Sequence, residues 1–282
     1  MSQTLRPGVT SSVPVLCARD GRTREVIDDV ATEEPLQIRL VLQGGPQNVA
    51  VTMRTPGNDF ELAAGFLFSE GIIDSREAIQ TISYCVDPQI DAAQQYNIVN
   101  VAVTFGAAAD PDRLERHFTV NSSCGVCGKA TIDALGTRAE RLNDGVRVTA
   151  QTLDELPAAM RAAQRVFAST GGLHACALFD AAGTLLALRE DVGRHNAFDK
   201  IVGWALLEDR MPLQGCIALV SGRASFELVQ KAILARIPVL CAVSAPSSLA
   251  VELAGEFGVT LVGFVREGRA NIYTGRERLA LP

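Results

Sequence analysis

Cys124 and Cys127 stand three residues apart in Asn121-Ser122-Ser123-Cys124-Gly125-Val126-Cys127-Gly128-Lys129. Small residues flank both sulfurs, and the helix-compatible run Ala130-Thr131-Ile132-Asp133-Ala134-Leu135 follows. This pattern predicts that the pair sits at or just before a helix N-terminus. Unsatisfied N–H groups, the helix dipole and Lys129 would favour the thiolate there, drawing a thiol pKa from about 8.5 into the range of about 4 to 7.5. Such a sulfur is a nucleophile at neutral pH. Disulfide exchange and persulfide shuttling both need low pKa, exposure and a flexible loop, so the pattern leaves both chemistries open.

Metal binding is disfavoured. A structural zinc takes four ligands, yet the sequence has no second Cys-x-x-Cys and no His-x-x-x-His, and its histidines at 117, 174 and 195 are isolated. A zinc deaminase needs His-x-Glu or Cys-x-Glu ahead of Pro-Cys-x-x-Cys. Here the histidines are followed by Phe-Thr, Ala-Cys and Asn-Ala, and Ser123 stands where that proline would be. Of the seven cysteines, Cys176, Cys216 and Cys241 lie in apolar runs and read as small buried hydrophobes. An odd cysteine count in a long chain without a secretion signal also argues against a disulfide framework.

Three polar turns each offer an arginine to a ligand: Glu190-Asp191-Val192-Gly193-Arg194-His195-Asn196, Ser221-Gly222-Arg223-Ala224-Ser225 and Arg266-Glu267-Gly268-Arg269. Glycine permits close backbone approach, helix N-termini present N–H donors, and guanidinium forks match phosphate oxygens. Each arginine alone reads better as solvated or paired with a nearby acid, and it is their joint placement on three turns of one sheet that makes a phosphorylated ligand an equally reasonable expectation. Neither Gly-x-Gly-x-x-Gly nor Gly-x-x-x-x-Gly-Lys-[Ser/Thr] occurs.

The elements that would hold these groups fall into two patterns. Residues 33–42 and 49–53 alternate as strands, and Asn58-Asp59-Phe60-Glu61 has the form of a capping box starting a helix through Phe60, Ala63, Ala64, Leu67 and Phe68 to Gly71. Residues 98–105 read as a further strand, which suggests a small α+β unit. A second capping box, Thr152-Leu153-Asp154-Glu155, predicts one long helix ending at Gly171-Gly172. Strands at 173–179, 184–188, 216–220, 238–243 and 259–264 then alternate with helices at 196–207, 225–235 and 247–256. The later strands are continuous apolar runs, as expected when helices cover both faces of a sheet. The expected organisation is a loose N-terminus over 1–20, an α+β domain over 21–120, the Cys-x-x-Cys loop with a connecting helix over 121–150, and a three-layer α/β sandwich with a mixed sheet over 151–282.

Composition sets the outer limits. The 282 residues are 48% hydrophobic and 21% charged with net charge −6, which describes a soluble globular protein and disfavours nucleic-acid binding. Neither a signal peptide nor an apolar run of membrane-spanning length is evident, so a cytoplasmic protein without a membrane span is expected.

Several stretches in order resemble the formate dehydrogenase accessory sulfurtransferase family (FdhD-type proteins). They are Glu34-Pro35-Leu36, Met53-Arg54-Thr55-Pro56-Gly57, Glu61-Leu62-Ala63-Ala64-Gly65-Phe66-Leu67, Glu70-Gly71-Ile72-Ile73, Ser122 to Lys129, Glu190 to Ala197, Ser221 to Ser225 and Asn271-Ile272-Tyr273. The resemblance implies a sulfur carrier that takes sulfur from a cysteine desulfurase and passes it to the molybdenum cofactor, bis-molybdopterin guanine dinucleotide, before that cofactor enters formate dehydrogenase. It makes Cys124 the persulfide-forming residue and Cys127 its helper. It assigns Phe264, Val265, Arg266, Glu267, Gly268 and Arg269 to the pocket for the guanine nucleotide, for which GDP is an expected mimic. Arg194 and Arg223 join them on the phosphate argument above. The resemblance further implies a C-terminal fold similar to cytidine deaminases, and a homodimer. A cofactor-binding chaperone without sulfur transfer, and a thiol-disulfide oxidoreductase, are the alternatives.

Overall fold

The computed structural model describes residues 7–42, 44–104, 135 and 139–280. Cys124, Cys127 and the helix expected after them, apart from the buried Leu135, lie outside the described residues. Along the chain run β1 (Thr10–Arg19), β2 (Arg22–Ala31), β3 (Glu34–Leu42), β4 (Gly45–Arg54), α1 (Asp59–Ser69), β5 (Ile79–Tyr84), the short α2 (Ala92–Gln95), β6 (Ile98–Val103), β7 (Val148–Thr149), α3 (Ala150–Ala163) and α4 (Arg165–Thr170). They continue as β8 (His174–Phe179), β9 (Leu185–Asp191), α5 (Arg194–Leu207), β10 (Ile217–Val220), α6 (Phe226–Leu234), β11 (Val239–Ala242), α7 (Ser248–Phe257), β12 (Thr260–Arg266), β13 (Arg269–Ile272) and β14 (Leu279–Ala280).

The alternation in β3 does what its period requires, since Leu36, Ile38 and Leu40 all point to one buried face. Val99, Val101 and Val103 of β6 join them beneath Leu62, Ala63 and Leu67 of α1. The sheet order is β4-β3-β6-β5. A second, mixed sheet runs β13-β12-β11-β10-β8-β9, with β10, β11 and β12 parallel and the rest antiparallel. Its residues alternate between two cores. Cys176, Leu178, Ala218, Val220, Leu240, Ala242 and Leu261 meet α5, α6 and α7 on one face, while Ala175, Ala177, Phe179, Leu219, Cys241 and Val262 meet Leu153, Leu156 and Met160 of α3 on the other. The strands are apolar throughout because helices cover both faces.

α1 and α5 join the two sheets by an unusually close crossing. A methyl group on Gly65 would overlap the Asp199 carbonyl, and one on Gly203 would overlap the Glu61 carbonyl. Only backbone fits there. Gly203→Ala is accordingly expected to cost about 3 kcal/mol and to lower the thermal midpoint by roughly 6–12 °C; an unchanged midpoint in a calorimetric scan would count against this packing.

Several local expectations are corrected. Asn58 precedes α1 with left-handed φ of 57° and makes no side-chain cap, while Glu61 turns to Arg189 in a two-pronged pair at 2.5 and 2.7 Å. A tertiary guanidinium outcompetes the local amide. The helix expected from Thr152 starts earlier, because Thr149 is its cap and accepts from the Thr152 amide at 3.0 Å. It also breaks at Gln164 rather than running to Gly171, and the Glu190 carboxylate accepts from the Val166 and Phe167 amides at 3.0 and 2.7 Å to start α4 afresh. Finally, Thr10–Arg19, expected to be loose, pairs with β2 over its whole length. Asp20 and Gly21 (φ 52° and 74°) make the two-residue turn that such hairpins favour.

Candidate functional site

The register of the six-stranded sheet gathers the three arginine turns along one edge. Parallel pairing aligns the ends of β10, β11 and β12. Because β8 runs antiparallel to both β10 and β9, its first residue His174 stands beside Asp191 and near Ser221. The loops that follow parallel strands, outside their carboxyl ends, are where open α/β sheets bind ligands.

Each turn has a physical reason for its shape. Asp191, fully buried at the end of β9, accepts from the Gly193 amide at 2.8 Å, Asn196 Nδ2 at 3.1 Å and the Thr55 amide at 3.2 Å, and pairs with Lys200 Nζ at 2.7 Å. Lys200 also donates to the Thr55 carbonyl at 3.0 Å, and Asn196 to the Met53 carbonyl at 2.7 Å. Much of the Glu190-to-Asn196 motif is thus committed to holding the end of β4. Arg194, the first residue of α5, is the exception. It is half-buried, and its Nε is sealed from solvent without a hydrogen-bond partner.

Gly222 keeps the second turn thin. A methyl group there would stand 3.4 Å from His174 Nδ1 and 3.9 Å from Arg194 Cδ, so the turn lies against both side chains. Burial lowers the His174 pKa below its ordinary value, and the Arg194 and His195 charges add to that. A neutral imidazole therefore prevails at neutral pH. His195 Nε2 meets Ser225 Oγ at 3.2 Å and Glu227 at 3.7 Å. Arg223 is exposed on the rim.

The third turn closes the β12–β13 hairpin, with Glu267 and Gly268 at φ 53° and 70°. Phe264 also has a left-handed φ of 55°, inside an irregularity of the ladder between Gly263 and Arg266. A bulky residue in that region is strained, and bulges of this kind re-aim side chains. The Arg269 guanidinium lies 4.8 Å from the centre of the Phe264 ring. Val265 points into the core, which leaves it only its backbone for a ligand.

Between this hairpin and α3 opens a cleft of about 960 Å³, bordered by Met160, Arg161, Phe167, His174, Ser221 and Arg266, among others. It is large enough for a nucleotide and carries Arg161 and Arg266 on its walls, with Glu267 beside Arg266. Arg161 stacks on Phe167 at 4.3 Å. Of the expected residues, Arg266 and Glu267 border the cleft, whereas Arg194 at the start of α5 and Arg223 in the loop after β10 do not. His174, Arg161 and Phe167 were not singled out as ligand contacts from sequence. Only the strand order brings them to the edge, and that order is not written in any local pattern. Among the described residues no group of three or more His, Cys, Asp or Glu could hold a metal ion, and no helix is long and apolar enough to cross a membrane.

The profile of the FdhD/NarQ family matches residues 31–280. The chain belongs to that family. Among FdhD/NarQ relatives, the Streptomyces avermitilis protein named sulfur carrier protein FdhD is 52% identical over 276 residues, covering 97% of this chain and 96% of its own. The Mycolicibacterium paratuberculosis protein of the same name is 54% identical over 254 residues, covering 89% of this chain and 92% of its own. A crystal structure from Desulfotalea psychrophila, described as a formate dehydrogenase accessory protein, superposes with a TM-score of 0.74 at 25% identity, over 96% of this chain and all of that one. All the residues expected to act fall within the FdhD/NarQ match, and the β1–β2 hairpin precedes it but for its last residue, Ala31.

Proposed function

We propose that this chain is a sulfur carrier in formate dehydrogenase maturation, that Cys124 carries the sulfur as a persulfide, and that the acceptor is the guanine-nucleotide-bearing molybdenum cofactor. The observation that carries the reading is whole-length similarity to proteins named sulfur carrier, in a chain that has the Cys124–Cys127 pair. Loading exchanges one sulfur–sulfur bond for another. The Cys124 thiolate attacks the terminal sulfur of a desulfurase persulfide, and the desulfurase thiolate leaves. Release is balanced when the Cys127 thiolate attacks the inner sulfur of that persulfide. A Cys124–Cys127 disulfide forms, hydrosulfide departs towards the acceptor, and a cellular dithiol later reduces the disulfide.

The nucleotide end of the acceptor docks in the cleft at the sheet edge. Arg266 and Arg161 take its phosphates, backbone amides of the Glu267–Gly268 turn approach it closely, and the neutral His174 offers a hydrogen bond. The protein's contribution is then positioning, together with a stabilised anion. The deaminase-like sandwich implied by the resemblance suits this arrangement, since the helix–sheet–helix layers leave the strand ends open.

Incubation with a cysteine desulfurase and cysteine should add the mass of one sulfur atom to the peptide containing Cys124, and Cys124→Ala should neither load nor restore formate dehydrogenase activity. A Cys124→Ala protein that restored that activity would favour the chaperone reading. For the docking half, Arg266→Ala should weaken GDP binding by about tenfold to a hundredfold, the worth of one charge-assisted contact. Equal affinity in a calorimetric titration would remove Arg266 from the site.

A further inference from the structure

Phe167 looks like a core residue in the sequence and is not one in the structure. It follows Met160 at helical spacing, yet its ring is only half-buried and belongs to none of the three apolar cores. No residue of α4 is fully buried. The ring borders the cleft at the sheet edge, with the Arg161 guanidinium stacked on it at 4.3 Å. A phenyl ring left partly in water gains by covering its open area with another apolar surface. A nucleobase supplies one, because every base has a π-face whatever its edges carry. A guanidinium lying on a ring keeps its N–H edges free, so Arg161 can still reach phosphates.

The six residues of α4 are too few to make a helix by themselves. Contacts at both ends hold it. At its end Gly171 takes a left-handed φ of 68°, and its amide donates to the Phe167 carbonyl at 2.8 Å. At its start the two carboxylate oxygens of Glu190 accept from the Val166 and Phe167 amides at 3.0 and 2.7 Å. The backbone of Phe167 is thus fixed directly by Glu190. Glu190 is itself anchored, since it pairs with Ala175 in the β8–β9 ladder and its carbonyl accepts from Lys200 Nζ at 3.3 Å. Both oxygens of its side chain are engaged, and a carboxylate would repel a phosphate. Glu190 is therefore placed to act through Phe167 and not on a nucleotide.

We infer that Phe167 is the base platform of the cleft and that Glu190 is its positioning residue. The nucleobase of the docked ligand lies against the Phe167 ring, its phosphates reach Arg161 and Arg266, and Glu190 keeps the ring at the cleft by capping α4. This rests on the docking half of the proposed function and adds to it the part of the site that holds the base.

Titration calorimetry of the full chain with GDP and with inorganic pyrophosphate tests it. Phe167→Ala should weaken GDP binding by about tenfold to a hundredfold, the worth of one stacked base, and leave pyrophosphate binding unchanged. Glu190→Ala should reproduce both results. Glu190→Gln, which keeps an oxygen for the amides, should recover part of the loss. In a Phe167→Ala background Glu190→Ala should cost nothing further, because the group it positions is already gone. A parent chain that does not bind GDP would overturn the docking reading and this inference with it. A parent that binds GDP, with a Phe167→Ala chain that binds it equally well or loses pyrophosphate in step, would overturn the inference alone. Effects of Glu190→Ala and Phe167→Ala that add in full would remove Glu190 as the positioning residue.

Discussion

Replacing Lys231 by methionine should cost about 3–5 kcal/mol, the penalty for stranding a buried charge. Lys231 Nζ sits 2.7 and 3.0 Å from the two carboxylate oxygens of Asp199, and Ser69 Oγ donates to the same carboxylate at 2.8 Å. Asp199 and Lys231 are both buried, and with Ser69 they tie α1, α5 and α6 at one point. Burial holds the Asp199 carboxyl above its ordinary range even with the ammonium beside it. A carboxyl whose folded pKa is raised binds its proton more tightly in the folded than in the unfolded chain. Folding is then favoured below the unfolded value, and that advantage is lost as pH rises through the folded one. Lys231→Met removes the main influence drawing Asp199 down, so its deficit should be larger at about pH 8 than at about pH 5 in urea unfolding. A loss below about 1 kcal/mol, or one independent of pH, would contradict the pairing.

Asp191→Ala is expected to be as damaging, by about 3–5 kcal/mol, for a related reason. Lys200, 1% exposed, would keep only carbonyl partners, and the Gly193 and Thr55 amides and Asn196 would each lose an acceptor. The double variant Asp191→Ala with Lys200→Met should recover part of the loss, because no charge is then left unpaired. If the single variant instead kept full stability and lost only GDP affinity, the Glu190-to-Asn196 motif would act directly on the ligand.

That second case shows where sequence reading reaches its limit. Gly193, Arg194 and Asn196 look alike as parts of one polar turn before a helix, yet Asn196 and Asp191 face inward to β4 and, within this turn, Arg194 keeps a sealed, unpartnered nitrogen. Facing is set by tertiary contacts with Met53 and Thr55, more than a hundred residues earlier in the chain. The apolar strands β8, β10, β11 and β12 are legible because burial on both faces leaves a continuous pattern. Cys176 and Cys241, read as core, are fully buried, and desolvation raises their thiols, that of Cys241 to about 12. Cys216 is only partly buried. β1 and β2 were missed although Asp20-Gly21 is a strong hairpin signal, because their exposed polar residues blur the alternation. β13 is not legible because its four residues are exposed or only half-buried, so Arg269-Ala270-Asn271-Ile272 lacks the continuous apolar pattern of β10 and β11. Of the residues that border the cleft, Arg266 and Glu267 belong to the turn that the resemblance singles out. His174 and Arg161 do not, since their place depends on the order of strands across the sheet.

The central claim is that sulfur moves through Cys124 to an acceptor held at the sheet edge. Chain loaded with radiolabelled sulfur and mixed with molybdenum cofactor should pass its label to the cofactor, and Arg266→Ala should slow that transfer while loading at Cys124 proceeds normally. Label that stays on the chain in the presence of the cofactor, or that reaches the cofactor equally well from a Cys124→Ala chain, would contradict the account.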